Sequence, residues 1–160
     1  MRQYGRELAA STEAVPSLAF RAGTLICALP LDQVIETMRP LPTRPLAGTP
    51  AFVRGISVLR GVPTPVIDVA RLLGGGRVEA ERYIGVLADR GPVALATGPV
   101  LGIRDTDARP GEAHPALLGA AGGLVAGVGT LGSEPLLLLQ GMRSVPDEVW
   151  EAAAAAGVPS

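Results

Sequence analysis

The chain is poor in the residues on which many protein chemistries depend. Cys27 is its single cysteine, so no disulfide can form within the chain. It lies among the apolar residues Leu25, Ile26 and Leu29, a setting typical of a buried structural thiol rather than a reactive one. His114 is the only histidine, and a metal site needs three or four converging ligands. We therefore expect no metal site.

A concentrated positive surface is also missing. The fourteen basic residues are all arginine and are scattered along the chain, and the formal net charge is −1. Nucleic-acid binding needs clustered positive charge, so we expect no nucleic-acid partner. The string 127–132 matches the dinucleotide pattern G-x-G-x-x-G, but Ser-Glu-Pro and a leucine-rich run follow it instead of a helix. We expect no cofactor.

One long uncharged stretch calls for a check of membrane insertion. No charged residue lies between Glu112 and Glu134, a length sufficient to span a bilayer. The stretch contains Pro115 and six glycines and lacks aromatic or basic flanks, so we expect a glycine-rich loop leading into a buried strand and no direct membrane insertion. Residues 1–11 lack the apolar region of a signal peptide, and we expect a cytoplasmic protein.

Short strand-type runs separated by tight turns dominate what is present. Apolar residues make up 48% of the 160 residues, enough for one domain with a core of Val, Leu, Ile and Ala. Three pairs of runs flank turn residues and predict hairpins: 17–22 with 25–29, 83–88 with 93–97, and 124–131 with 136–139. Such a pattern predicts an all-β fold.

Other segments are less uniform. Leu31, Val34, Ile35 and Met38 fall at helical spacing, although 34–38 could equally enter a sheet. The strand 62–67 contains two prolines, which favour an edge or a bulge. Two short helices are predicted, 69–73 after a cap at Asp68 and 147–156 at the end of the chain.

The stretch 52–69, FVRGISVLRGVPTPVIDV, resembles the signature of the CheW-like domain family. The shared features are Gly55, the triplet Leu59-Arg60-Gly61 and the run Pro65-Val-Ile-Asp68-Val. The resemblance implies two small packed five-stranded β-barrels with short helices. It places a domain at 17–146, between a tail at 1–16 and a C-terminal helix and tail at 147–160. The sequence departs from the family pattern at Val58, where Asn is common, and at Pro63, where an apolar strand residue is usual.

The resemblance also implies a function. It predicts a non-enzymatic chemotaxis-type signalling adaptor that couples chemoreceptors to a CheA-type histidine kinase. The expected partners are the cytoplasmic tip of a methyl-accepting chemoreceptor and the regulatory domain of the kinase. The expected receptor- and kinase-binding residues are Arg60, Val58, Ile56, Leu59 and Gly61. Asp68 is expected to be a structural cap, and no catalytic residue is predicted.

Alternatives remain open at this point. The run 52–61 is predicted to be one strand, and its alternation places Arg60 on one face with Ile56 and Val58, where an unpaired buried charge is costly. Arg60 therefore either faces a partner or supports a turn through a carboxylate. The chain could also be an accessory scaffold, or a small β-barrel enzyme of unknown substrate using Cys27 or Asp68.

Overall fold

The computed structural model of the chain describes residues 15–76, 78–108, 125–139, 145 and 147–157. Strands dominate this part, and the helices are few and short, so the predicted all-β class is confirmed. In chain order the elements are β1 (Val15–Ala22), β2 (Leu25–Pro30), a 3-10 turn (Leu31–Gln33), β3 (Val34–Met38), β4 (Val53–Leu59), β5 (Val62–Asp68), α1 (Val69–Leu72), β6 (Arg82–Ala88), β7 (Gly91–Thr97), β8 (Val100–Thr106), β9 (Val125–Leu131), β10 (Glu134–Leu139) and α2 (Asp147–Gly157).

The strands form two five-stranded sheets with the same pattern of parallel and antiparallel pairs. The first sheet has the order β8-β1-β2-β10-β9, and the second has the order β3-β6-β7-β5-β4. In each sheet a parallel pair joins two antiparallel hairpins, β2 with β10 in the first and β7 with β5 in the second. Neither ladder closes on itself, so the predicted barrels are open sheets. Among the described residues, no ladder joins the two outer strands of either sheet, and in the second sheet a backbone bridge joins β4 to Arg44 of the β3–β4 connection.

Each sheet contributes apolar side chains to two clusters, one on each of its faces. The largest cluster combines residues of both sheets with Val149 and Trp150 of α2. Each sheet also has a smaller cluster of its own, around Leu136 and Leu138 in the first and around Val66 and Tyr83 in the second. The central strands β2 and β7 contribute to two clusters each, and burial on both faces explains why they are nearly continuous apolar runs.

The ambiguous segments take defined forms. The 31–38 region is a 3-10 turn followed by strand β3, so both alternatives left open by the sequence occur in succession. Pro63 and Pro65 pair only with β4, whereas the parallel pairing with β7 begins at Val66. Because proline has no N–H to donate, the two prolines occupy the half of β5 that has one neighbouring strand, which matches the predicted edge.

Several sequence predictions concern 109–124, which lies outside the described residues, and His114 and Pro115 are among them. The string that matches the dinucleotide pattern forms β9 and its turn into strand β10, so no helix follows it. Within the described part of the chain, no helix has both the length and the apolar character needed to cross a bilayer.

Candidate functional site

The predicted binding residues lie in the β4–β5 hairpin, but not all on one strand. Strand β4 ends at Leu59, and Arg60 and Gly61 form the two-residue turn, with φ angles of 50° and 80°. The prediction that Arg60 shares a strand face with Ile56 and Val58 is therefore wrong. Two successive residues of positive φ give the turn the twist that a tight hairpin requires. Arginine adopts this left-handed conformation at a cost, whereas glycine does so freely.

Burial divides the five predicted residues into two groups. Val58 is 64% exposed, and the side chain of Arg60 is 73% exposed at the hairpin tip beside Gly61. Leu59 and Ile56 are buried, so their side chains mainly support the hairpin. Val62, the cross-strand neighbour of Leu59, is 43% exposed. Val62 is not among the residues predicted from the sequence, although its position next to the turn is a usable signal.

Arg60 makes a two-pronged ion pair with Glu36 of strand β3. Its Nε donates to Glu36 Oε2 at 2.6 Å, and its Nη2 donates to Glu36 Oε1 at 3.1 Å. The hydrogen bond from Arg60 lowers the pKa of Glu36, and the same contact raises the pKa of Arg60. Because β3 and β4 are opposite edges of the second sheet, this pair links the two edges and orients the Arg60 side chain.

Asp68 is the structural cap that the sequence predicts. Its Oδ1 accepts a hydrogen bond from the Arg71 N–H at 3.1 Å, which caps α1. Its Oδ2 accepts from Arg54 Nε at 3.1 Å, and Arg54 also donates to the carbonyl of Val78. The side chains of Asp68 and Arg54 are 6% and 17% exposed. With its oxygens engaged in this way, the Asp68 carboxylate holds β4, β5 and the chain after α1 together.

A segment of the β3–β4 connection lies against the outer edge of β4. Arg44 N–H donates to the Ile56 carbonyl, and Ile56 N–H donates to the Arg44 carbonyl, both at 2.8 Å. Gly55 makes this approach possible, since a Cβ at that position would lie 2.0 Å from the Arg44 oxygen. The hydroxyl of Thr43 lies 2.8 Å from Ser57 Oγ and 2.6 Å from the Tyr83 hydroxyl, which fixes the segment further.

An open groove of about 630 Å³ results beside the hairpin. It is lined by residues of the connection, β4 and β5: Pro42, Thr43, Arg44, Pro45, Ile56, Ser57, Val58 and Pro63. Val58 and Pro63, the two positions that depart from the family pattern, are cross-strand partners within it.

The residues proposed for catalysis are not brought together. Cys27 is buried in β2 of the first sheet, where desolvation raises the pKa of its thiol to about 12. Asp68 belongs to the second sheet and is engaged by Arg54 and α1. Across the described residues, no three His, Cys, Asp or Glu side chains come close enough to hold a metal ion.

A comparison with protein families decides the classification. The model of the CheW-like domain matches residues 16–147, which is most of the chain. The chain belongs to the CheW-like domain family. Members of this family are non-enzymatic adaptors of chemotaxis signalling, which agrees with the absence of a predicted catalytic residue.

Two individual proteins are similar to this CheW-like chain. Protein FrzA of Myxococcus xanthus is 34% identical over 89 residues, which cover 53% of the chain and 55% of FrzA. The match thus spans about half the length of that relative. The crystal structure of the scaffolding protein TtCheW from Thermoanaerobacter tengcongensis superposes with a TM-score of 0.67 at 20% identity. It covers 79% of the chain and 89% of TtCheW, and it shows that the fold is shared.

The geometry now gives the CheW-like signature a structural meaning. Gly55 is the residue that admits the Arg44 segment, and Arg60-Gly61 is the turn of the hairpin. Asp68 is the cap that anchors Arg54 and α1. Each of these signature residues therefore shapes the hairpin and its surroundings, and Arg60 alone among them carries a charge that is largely exposed.

Proposed function

We propose that this chain couples chemoreceptors to a CheA-type histidine kinase through the tip of the β4–β5 hairpin. The tip consists of Val58, Arg60, Gly61 and Val62, which combine exposed aliphatic surface with an arginine. Arginine is enriched in protein interfaces, and its planar guanidinium can bind a partner while it retains an existing ion pair. The observation that carries the proposal is the exposed, oriented Arg60 between two exposed valines.

The proposed partners are the cytoplasmic tip of a methyl-accepting chemoreceptor and the regulatory domain of the kinase. A cytoplasmic location for the chain follows from these partners. The buried residues of the expected set, Ile56 and Leu59, act by holding the hairpin in place. The pairing of Glu36 with Arg60 limits the rotamers of the arginine, so less conformational entropy is lost when a partner binds.

Charge reversal at Arg60 tests this proposal. Arg60→Glu removes the exposed cation and places a carboxylate beside Glu36, so receptor-stimulated kinase activity should fall at least tenfold while the melting temperature changes little. Arg82→Glu is the matched control, because Arg82 is exposed on the same sheet and, among the described residues, its guanidinium bonds only the Glu81 carbonyl. The control should retain full coupling.

The charge-swapped variant Glu36→Arg with Arg60→Glu separates the ion pair within the chain from the proposed contact of Arg60 with a partner. It restores an ion pair within the chain but leaves a carboxylate at the turn. Coupling should stay low if a partner binds the cation of Arg60. Normal coupling by Arg60→Glu, or full recovery in the swapped variant, would contradict the proposed contact. A chain that binds the receptor normally without affecting the kinase would instead be an accessory scaffold.

Thiol labelling addresses the enzyme alternative. A buried thiol whose pKa is raised to about 12 is almost entirely protonated at neutral pH, so Cys27 should react with a thiol reagent only as the protein unfolds. Labelling should become fast in denaturant and follow the unfolding transition. Rapid labelling of the native protein would contradict the buried position of Cys27 and reopen a catalytic role.

A further inference from the structure

The groove beside the hairpin is lined by one arginine, Arg44, that forms no ion pair with any residue the structure describes. In the described part of the chain, four ion pairs occur, and Arg54 and Arg60 belong to two of them. Arg44, which lines the groove, is exposed and pairs with no described carboxylate. No described acidic residue lines the groove with it. The groove therefore presents one unneutralised guanidinium.

The remaining lining does not call for a polar ligand. Ser57 Oγ donates to the Pro42 carbonyl at 2.8 Å, and Thr43 Oγ1 donates to the Leu41 carbonyl at 2.9 Å. These hydroxyls are satisfied within the protein, so what the groove offers to solvent is mainly apolar surface. Exposed Val58 and its cross-strand partner Pro63 supply much of that surface.

The position of Arg44 is built into the fold. Two backbone hydrogen bonds with Ile56 hold its main chain, and Gly55 leaves the space for that approach. An arginine whose main chain is fixed beside a mainly apolar groove matches a ligand that places an apolar side chain near a carboxylate.

A second groove shares Pro45 with the first and is lined by Arg54, Asp68 and Arg71. Asp68 pairs with Arg54, whereas Arg71 is exposed and pairs with no described carboxylate. Among its described residues, each groove thus has one arginine more than it has carboxylates.

We infer that this groove, the Arg44 groove, binds an acidic segment of a partner protein in which an aliphatic side chain neighbours an aspartate or glutamate. The aliphatic side chain contacts Val58 and Pro63, and the carboxylate binds the Arg44 guanidinium. The inference goes beyond the proposed coupling function, because it specifies the chemistry of a ligand whichever protein supplies it. Val58 and Pro63 then determine which partner the chain accepts.

A random peptide library displayed on phage and selected on the native protein provides the test. Enriched peptides should combine aliphatic with acidic residues, and chemically synthesised copies should bind in solution. Replacing their Asp and Glu by Asn and Gln should weaken binding by about tenfold or more, and added salt should weaken it as well. Enrichment of basic or uncharged peptides, or of none, would overturn the inference.

Variants of the protein locate the binding. Arg44→Glu and Val58→Glu should each lose peptide binding by about tenfold or more while the melting temperature is kept, because both side chains are exposed. Arg39→Glu is the matched control, an exposed arginine outside the groove, and should bind normally. Retained binding by Arg44→Glu would overturn the inference. The inference would also be overturned if light scattering showed that the wild-type protein is a dimer and that Arg44→Glu dissociates it. The groove would then bind a second copy of the chain.

Peptide binding is measured without receptor or kinase, so its outcome is independent of the Arg60 experiment. Loss of coupling in Arg60→Glu with normal peptide binding would support both proposals. Normal coupling by Arg60→Glu with peptide binding lost in Arg44→Glu would overturn the coupling role of the hairpin tip and leave the ligand chemistry of the groove supported.

Discussion

The two sheets have the same pattern of strand pairing. They differ in how the two outer strands within each sheet are joined. In the first sheet, Asp107 follows β8 and reaches β9, where its Oδ1 accepts from the Thr130 N–H at 2.9 Å and its Oδ2 from the Thr130 hydroxyl at 3.1 Å. In the second sheet, the edges are joined by the Glu36–Arg60 ion pair and by the segment that contains Arg44. The outer strands of the first sheet thus lie in direct contact, whereas those of the second are joined by long side chains and by a loop segment.

The space between the outer strands also differs between the two sheets. A Cβ on Gly129 of β9 would lie 2.5 Å from Asp107 Oδ1 and 2.6 Å from the Ala108 nitrogen, so the edges of the first sheet touch. The second sheet leaves a groove of about 630 Å³ and an exposed arginine beside its closure. The same pairing pattern thus leaves no space between the outer strands of the first sheet and a groove beside those of the second, depending on the side chains and on the connection between the outer strands.

Gly55→Ala should have the largest effect on stability. The new Cβ would meet the Arg44 carbonyl oxygen at 2.0 Å, and φ at this position is 144°, so we expect a loss of about 3 kcal/mol in the free energy of unfolding. Gly61→Ala is the control, since φ is 80° there but, apart from the adjacent residues, no described atom lies within 4 Å of the added Cβ. It should cost about 1 kcal/mol. Equal costs in urea unfolding would show that the Arg44 segment is not held against β4.

Gly129→Ala tests the tight closure of the first sheet. Because the added Cβ meets both a side-chain oxygen and a backbone nitrogen, we expect a loss of about 2 kcal/mol. Asp107→Ala, which removes the hydrogen bonds to Thr130, should cost about 1 kcal/mol. The double variant should cost less than the sum, because the clash with Asp107 Oδ1 is gone. Strict additivity in urea unfolding would indicate that the two residues do not meet.

The smallest effect is expected for the pH dependence of the Glu36–Arg60 pair. Since the pKa of Glu36 is lowered in the folded protein, the pair stabilises the fold above the ordinary pKa of a glutamate. That contribution is lost as the pH falls through the lowered pKa. A double-mutant cycle with Glu36→Gln and Arg60→Gln should give a favourable coupling energy at neutral pH and none in acid. The same coupling energy at both pH values would contradict the ion pair.

Much of the local structure could be predicted from the sequence. The hairpins, the cap at Asp68 and the closing helix follow from period-two alternation, turn residues and capping preferences, all of which act between neighbouring residues. The end of β4 could not be predicted in this way. Two-residue hairpin turns usually contain Asn-Gly or Asp-Gly, and the Arg60-Gly61 turn lacks both. Without that signal, the predicted strand was extended past Leu59 to residue 61.

By itself, the sequence determined the all-β class, the strand segments and membership of the CheW-like family, because apolar patterns and a contiguous signature are short-range properties. Only the tertiary structure decided which residues meet at the candidate site. Glu36 lies 24 positions before Arg60, and Asp107 lies 23 positions before Thr130. Whether such residues touch depends on strand order, on parallel pairing and on the path of the Arg44 segment over Gly55. Alternation along a single strand does not indicate strand order, pairing direction or loop path, since it specifies the face of a residue and not its neighbouring strand.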